Sequence, residues 1–197
     1  MGMKQLEIQF YGPYRWYWTN DDSVLTTPMS NKKGVYLWAI PFEKKYLTYY
    51  VGETGRSFSA RFLEHARDYL CGLYRVYDPD YFAEGKKILV WGGMWKPDRK
   101  EPSTMLEFLN RYSELSSIIY KFLKHIRFFL APIDSEKRVR QRIEAAISER
   151  LSKQLGLIGE FQDSDIKYSP RRTEEKSILV SIEASEQILG LDNELLV

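Results

Sequence analysis

The chain has 197 residues, of which 44% are hydrophobic and 15% aromatic, and this suits one elaborated domain with a substantial core. The formal net charge is only +2, which argues against a uniformly basic nucleic-acid binder and requires any phosphate-binding surface to be local. A single cysteine excludes an internal disulfide, and two histidines argue against a zinc site, so a bound metal would be a hard cation such as magnesium.

The sequence also bears on location. We find neither a secretory signal nor an apolar run long enough to cross a membrane. Together with the lone cysteine, this predicts a cytoplasmic protein without a membrane partner. The sequence leaves the oligomeric state open.

The first predicted elements are β-strands. Residues 5–18 read as a strand with a Gly-Pro turn and an aromatic continuation, and the polar stretch 20–33 reads as a loop. Two β-prone runs, 34–40 and 46–52, then flank the short segment PFEKK. This pattern predicts a β-hairpin.

A helix is predicted after the hairpin, with Ser57 as its N-cap. Apolar residues recur there at helical spacing and are expected to face the core: Phe58, Phe62, Ala66 and Tyr69. Arg61 and His65 are four residues apart and would project from one side of this helix, one turn from each other.

The later elements are predicted from the same periodicities. We expect a strand within 86–95, a helix over 103–124, a buried strand at 125–132, a helix over 135–155 and a short strand, ILVSI, in the C-terminal region. The residues expected to face inward from the two helices are Leu106, Leu109, Ile119 and Phe122, and Val139, Ile143, Ile147 and Leu151.

The hairpin and the first helix would bring four chemically useful side chains together. Antiparallel pairing can place Tyr36 and Tyr50 on one sheet face, beside Arg61 and His65. Arginine grips phosphate through a bidentate fork, and phenol or imidazole can orient or deprotonate water. A metal-binding carboxylate would have to come from elsewhere in the chain.

The runs GVYLW at 34–38 and YYVGETGRSFSARFLEH at 49–65 resemble the GIY-YIG nuclease superfamily. The signature is a Gly-hydrophobic-Tyr triplet, a Tyr-hydrophobic-Gly triplet and a helical arginine about ten residues later. Some members have a histidine four residues after that arginine. Tyr36, Tyr50, Arg61 and His65 match these positions.

The resemblance implies an α/β (α+β) domain with a small three-stranded antiparallel sheet flanked by helices, elaborated by an insertion and terminal extensions. It also implies a divalent cation, Mg²⁺ or Mn²⁺, held by a glutamate on a later helix. Glu144 in RIEAAI matches that glutamate, with Glu84, Glu101 and Glu107 as rivals.

The chain departs from the family pattern in two respects. His65 and Glu144 are unusually far apart, which implies an insertion at about 71–122. Many relatives also have an asparagine after the glutamate helix, whereas residues 145–192 contain none, so Gln154 or Gln162 could substitute or the role could be missing.

The expected organisation follows from these matches. It comprises an aromatic-rich N-terminal extension (1–33), a GIY-YIG-like domain (34–160) and a C-terminal extension (161–197).

The function predicted is metal-dependent endonucleolytic hydrolysis of a nucleic acid, with double-stranded DNA as the favoured partner. Glu144 would bind the metal, Arg61 would neutralise phosphoryl charge, and Tyr36 would deprotonate water with help from Tyr50 or His65. The arginines predicted to contact nucleic acid are Arg56, Arg67, Arg138 and Arg142. Two alternatives are a non-catalytic nucleic-acid binding module on the same fold and a protein-interaction domain.

Overall fold

The fold is seen in a computed structural model that describes residues 4–16, 22–95, 101–163 and 166–197. Within these ranges the strands are β1 (Lys4–Tyr14), β2 (Gly34–Phe42), β3 (Lys45–Thr54), β4 (Val76–Tyr77), β5 (Leu89–Trp91), β6 (Arg127–Pro132), β7 (Ile178–Ala184) and β8 (Glu194–Leu196). The helices are α1 (Phe58–Leu70), α2 (Pro79–Ala83), α3 (Pro102–Asn110), α4 (Tyr112–His125), α5 (Lys137–Ser152) and α6 (Leu157–Phe161).

The main sheet corrects the expected fold. It is a six-stranded mixed sheet in the order β3-β2-β6-β1-β7-β8, not a small three-stranded antiparallel one, and β4 and β5 form a separate pair. The class is α+β. β1 is antiparallel to β6 but parallel to β7, so both terminal regions contribute strands to the main sheet. A β6 edge left open would expose unpaired N–H and C=O groups, and β1 covers it.

The predicted β-hairpin is confirmed, and its register decides which side chains meet. Glu43 and Lys44, with φ of 46° and 63°, form the tight turn between β2 and β3. Tyr36 pairs with Gly52, and Trp38 pairs with Tyr50. Paired residues share a sheet face, and so do residues two apart on one strand. Tyr36, Trp38 and Tyr50 therefore lie on the same side of the sheet.

The two faces of the sheet carry two separate cores. On one side Tyr36 and Trp38 join an aromatic cluster with Phe62 of α1. On the other side Leu37 packs with Ile143 and further residues of α5. The β2 strand is therefore buried on both faces, which explains its nearly continuous apolar sequence.

Two predicted helices are confirmed as α1 and α5, the third is divided, and the short helices α2 and α6 were not predicted. Helix α1 begins after Ser57, whose side chain accepts from the Ala60 N–H, and α5 buries the expected stripe from Ile143 to Leu151. The helix expected at 103–124 is instead two helices, α3 and α4, joined at Arg111. Leu106 is 59% exposed, so its inward placement was wrong.

Of the other residues predicted to face inward from this region, one is exposed and two are buried. Leu109 is also exposed, whereas Ile119 and Phe122 are fully buried as expected. Helix α3 buries only Phe108 among its described residues, whereas α4 buries Leu115, Ile119, Phe122 and Leu123. No helix in the described ranges is long and apolar enough to cross a lipid bilayer.

Candidate active site

Tyr36 lies at the centre of a hydrogen-bonded group formed by β2 and α1. Its phenol oxygen is 2.9 Å from Nε2 of His65 and accepts a hydrogen bond of 3.3 Å from Nε of Arg61. The side chain of Tyr36 is fully buried. Burial raises the pKa of the Tyr36 phenol, and the nearby Arg61 guanidinium opposes that rise.

His65 extends this group on its other side. Its Nδ1 lies 3.1 Å from the phenol oxygen of Tyr74, and its ring packs edge-to-face on Trp38 at 4.8 Å between centroids. The imidazole is 3% exposed. Burial lowers its pKa well below the usual value, with Arg61 adding to the effect, so the ring is neutral at pH 7. A neutral imidazole bridges two phenols with one donor and one acceptor.

Tyr50 completes the aromatic side of the site from β3. Its ring centroid is 6.0 Å from that of Tyr36 and 6.3 Å from that of His65. Burial raises the pKa of the Tyr50 phenol well above its usual value, and the neighbouring Tyr36 and Tyr168 phenols add to the rise. Tyr50 is therefore neutral in the folded chain at neutral pH.

Gly52 creates the space that the Tyr36 ring occupies. A Cβ atom at position 52 would overlap the outer edge of that ring, including its hydroxyl. Gly52 lies directly opposite Tyr36 in the hairpin. The glycine of the Tyr50-Val51-Gly52 triplet is thus required by packing against the tyrosine of the other triplet.

Glu144 reaches the site from α5, which packs on the opposite sheet face. β3 is an edge strand, and the main-chain N–H of Glu53 at that edge donates to Oε1 of Glu144 at 2.9 Å. Burial, and then the nearby Glu53 carboxylate, raise the pKa of Glu144 from 4.5 to about 7. The Arg61 guanidinium partly offsets this rise. Glu144 in turn raises the pKa of Tyr36 and Tyr50.

The structure thus brings all five predicted catalytic residues to one place. Tyr36, Arg61 and His65 are joined by hydrogen bonds, Tyr50 packs beside them, and Glu144 at the sheet edge is near enough for its charge to raise the pKa of Tyr36 and Tyr50. Their catalytic roles remain predictions. What the geometry offers is a cation, a carboxylate and hydrogen-bonded phenols around one region, a combination suited to an oxyanion and a water molecule.

A buried ion pair supports the Glu144 side of the site. The Arg140 guanidinium is 4% exposed and lies 3.2 Å from a Glu53 carboxylate oxygen. Arg140 also donates to the main-chain oxygen of Ser135. Glu53 therefore joins β3 to α5 twice, through its side chain to Arg140 and through its N–H to Glu144.

Two tyrosines at the site were not found from the sequence. Tyr74 follows α1 and contacts His65, and Tyr168 donates to the Val51 carbonyl oxygen at 3.3 Å. Burial raises the pKa of Tyr168, and the nearby Glu144 carboxylate adds to the rise. Both lie in segments without a motif, and neither has a spacing signal that would connect it to Tyr36.

The four arginines predicted to contact nucleic acid fall into two pairs. Arg56 precedes α1 and Arg67 lies in its last turn, and both are exposed and form ion pairs with Glu64. Arg138 instead forms a two-pronged ion pair with Glu175, with both distances at 2.6 Å, and also donates to two main-chain carbonyls. These bonds hold the Arg138 guanidinium against the segment that follows α6.

Arg142, the fourth arginine predicted to contact nucleic acid, is not at the exposed surface where that prediction placed it. Arg142 is 6% exposed, and its Nη2 donates to the main-chain oxygens of Lys176 and Val197 at 2.7 and 2.6 Å. A buried guanidinium bonded to two carbonyl oxygens cannot contact a polyanion at the surface. Arg142 instead attaches the C-terminal strands to α5.

The rivals of Glu144 lie away from the site. Glu84 is exposed and ion-paired with Lys86, Glu101 precedes α3 at its N-cap, and Glu107 lies near Arg111.

The two glutamines considered as asparagine substitutes bind main-chain oxygens instead. Gln162 donates to the Thr48 carbonyl at 2.6 Å, and Gln154 donates to the Gly190 carbonyl at 2.7 Å. Both amides therefore join separate chain segments.

Comparisons of the chain with protein-family models, with curated proteins and with solved structures found no match. Among the described residues, no three acidic, histidine or cysteine side chains form a ready-made metal cluster.

Proposed function

We propose that this chain is a divalent-metal-dependent endonuclease with a GIY-YIG-type set of catalytic residues, and that it hydrolyses phosphodiester bonds of duplex DNA in the cytoplasm. The observation that carries the proposal is the hydrogen-bonded group of Tyr36, Arg61 and His65, with the Glu144 carboxylate close enough to interact electrostatically with Tyr36 and Arg61. Strongly perturbed pKa values concentrated in one cluster are typical of catalytic sites.

Arg61 would bind the phosphate that is cleaved. Its side chain is 26% exposed, so its outer edge faces solvent while Nε holds the Tyr36 phenol. The guanidinium remains charged at every physiological pH. It would stabilise the charge that builds on the phosphoryl oxygens during attack by water.

Tyr36, His65 and Tyr74 would act as a proton relay. As the O–H bond of the attacking water breaks, its proton would pass to the Tyr36 oxygen, and the phenolic proton of Tyr36 would pass to Nε2 of His65. The proton on Nδ1 would pass to Tyr74, which would release its own proton to solvent. Distances of 2.9 and 3.1 Å suit both transfers. The imidazole ends neutral, so its low pKa is no obstacle to this role.

Glu144 would hold the divalent cation. Of the two carboxylate oxygens of Glu144, Oε1 alone accepts a hydrogen bond from the described residues. The pKa of this carboxylate is about 7. A cation relieves such an unfavourable buried charge, and Mg²⁺ commonly takes one or two protein carboxylates with water as its other ligands. When bound, it would polarise a phosphate oxygen and stabilise the leaving oxygen.

A plasmid-nicking assay tests the proposal. The wild-type chain should cut supercoiled DNA with Mg²⁺ or Mn²⁺ and not with EDTA. Arg61→Lys should lower the rate by about 100-fold or more, because lysine cannot hold Tyr36 and a phosphate with one planar group. Arg111→Lys is the matched control, since Arg111 also pairs with a glutamate three residues later.

The outcomes separate the alternatives. Glu144→Ala should abolish cutting and leave DNA binding in place. A wild-type protein that binds DNA with a steep salt dependence but never cuts it would overturn the nuclease proposal and leave the non-catalytic binding module. If the chain neither binds nor cuts DNA, the remaining hypothesis is that it is a protein-interaction domain.

A further inference from the structure

The starting observation is a cluster of arginines around Glu64 on α1, which we call the Glu64 cluster and which comprises Arg56, Arg61, Glu64 and Arg67. Arg56 and Arg61 both bond to the same oxygen of Glu64, the latter through Nη1 at 2.5 Å. Arg67 lies 4.0 Å from the other oxygen. Three guanidinium groups thus surround a single carboxylate.

The charges of this cluster do not balance. Arg67 also pairs with Asp68 at 3.2 Å, so three arginines face two carboxylates and one positive charge is in excess. Glu64 is held ionised, because its hydrogen bond to Arg61 and then that to Arg56 lower its pKa. In a chain with a net charge of only +2, this excess is a local attraction for an anion.

The cluster is open to a large ligand. The side chains of Arg56 and Arg67 are 60% and 68% exposed, and that of Glu64 is 28% exposed. Arg61 is shared between the cluster and the candidate active site, since its Nε bonds to Tyr36 and its Nη1 bonds to Glu64. An anion that replaces Glu64 would therefore be linked to the Tyr36 phenol through Arg61.

We infer that Glu64 occupies, in the free protein, the place of a nucleic-acid phosphate, and that Arg56 and Arg67 take that phosphate when Glu64 is displaced. The inference rests on the proposed nucleic-acid substrate. A carboxylate and a phosphate both present two oxygens to a guanidinium fork, so one exchanges for the other without moving the arginines. Glu64 thereby competes with substrate and keeps the arginines ordered in its absence.

The inference predicts that Glu64→Gln strengthens DNA binding. In the wild-type chain, the phosphate must displace a charged carboxylate held by two arginines, whereas in the variant it displaces only a neutral amide. We expect about tenfold tighter binding, because the exposed ion pairs broken on binding are modest individually. Adding Arg56→Gln and Arg67→Gln to E64Q should remove this gain and lower the salt slope by about 2, one per lost contact.

The experiment is fluorescence anisotropy with a short labelled DNA duplex in EDTA, repeated over a range of salt concentrations. EDTA prevents metal-dependent cutting, so the result does not depend on whether the chain is a nuclease. Glu114→Gln is the matched control, because Glu114 also pairs with an arginine three residues before it and its loss changes the net charge equally. Circular dichroism establishes that each variant is folded.

Each result decides the inference. Tighter binding by E64Q than by E114Q, lost again in the triple variant, supports a phosphate site at the cluster. Equal affinities of E64Q and E114Q would show that only net charge matters. Weaker binding by E64Q, or no DNA binding by any variant, would likewise overturn the inference.

Discussion

Replacing Glu144 with glutamine is expected to stabilise the protein at alkaline pH in the absence of metal. Glutamine keeps the acceptor for the Glu53 N–H and removes a charge that burial, and then the neighbouring Glu53 carboxylate, make unfavourable. The variant should also lose the proposed nuclease activity. Stability and function would then be opposed at this position, as is common at active sites.

The magnitude follows from the pKa of Glu144. A rise from 4.5 in the unfolded chain to about 7 in the folded one corresponds to about 3 kcal/mol, and partial exposure reduces this to about 2 kcal/mol. The folded state binds the extra proton, so this group destabilises the wild-type chain progressively as pH rises from 4.5 to about 7. Above that range the destabilisation is complete.

Urea denaturation of both proteins in EDTA, at acidic and alkaline pH, measures the effect. The two free energies of unfolding should nearly coincide at the acidic end and differ by about 2 kcal/mol at the alkaline end. Glu149→Gln is a control on the same helix, where the carboxylate is exposed and paired with Lys153. A stability difference for E144Q that is independent of pH would refute the reasoning.

A metal titration extends the same experiment. Added Mn²⁺ should raise the melting temperature of the wild-type chain, because a cation that binds only the folded state stabilises it. The shift should be small or missing in E144Q. An equal shift in both proteins would mean that Glu144 is not the ligand.

The remaining predictions concern packing. Gly52→Ala should destabilise the fold by about 1–3 kcal/mol in urea and reduce cutting, since the new methyl displaces Tyr36; a variant as stable as the wild-type chain would contradict the packing argument. Arg142→Ala should cost about 2 kcal/mol by releasing the C-terminal strands while leaving the salt slope of DNA binding unchanged. Arg150→Ala is the comparison, because it removes an exposed ion pair with Asp192 and should cost less than about 1 kcal/mol of stability. A reduced salt slope in Arg142→Ala would instead support Arg142 as a nucleic-acid contact.

Several features could be predicted from the sequence because their causes are local. Two β-prone apolar runs and a short polar connection were enough for the β2–β3 hairpin. Helix α1 was readable from its cap at Ser57 and from the period of its aromatic residues. The spacing of Arg61 and His65 followed from that helix, and the match of two glycine–tyrosine triplets pointed to the residues around Tyr36.

Other features of the site depend on tertiary contacts. Glu144 was selected by resemblance, but its approach from the opposite face and its bond to the Glu53 N–H at the sheet edge come from the packing of α5. Tyr74 and Tyr168 come from segments whose sequence carries no period or motif. Arg142 looked like a surface charge because arginine usually is, and only the position of the C-terminal strands makes it buried.

The extent of the sheet was likewise decided by the tertiary structure. β1 and β7 are separated by more than half the chain, yet they pair in register from Lys4 with Ile178 to Phe10 with Ala184. Strand pairing uses main-chain N–H and C=O groups that nearly every residue possesses, so the sequence of either strand does not identify its partner. Local side-chain patterns therefore determined the hairpin and the longer helices, and the resemblance of two motifs selected the candidate catalytic residues, whereas main-chain pairing over long separations decided how many strands joined the sheet.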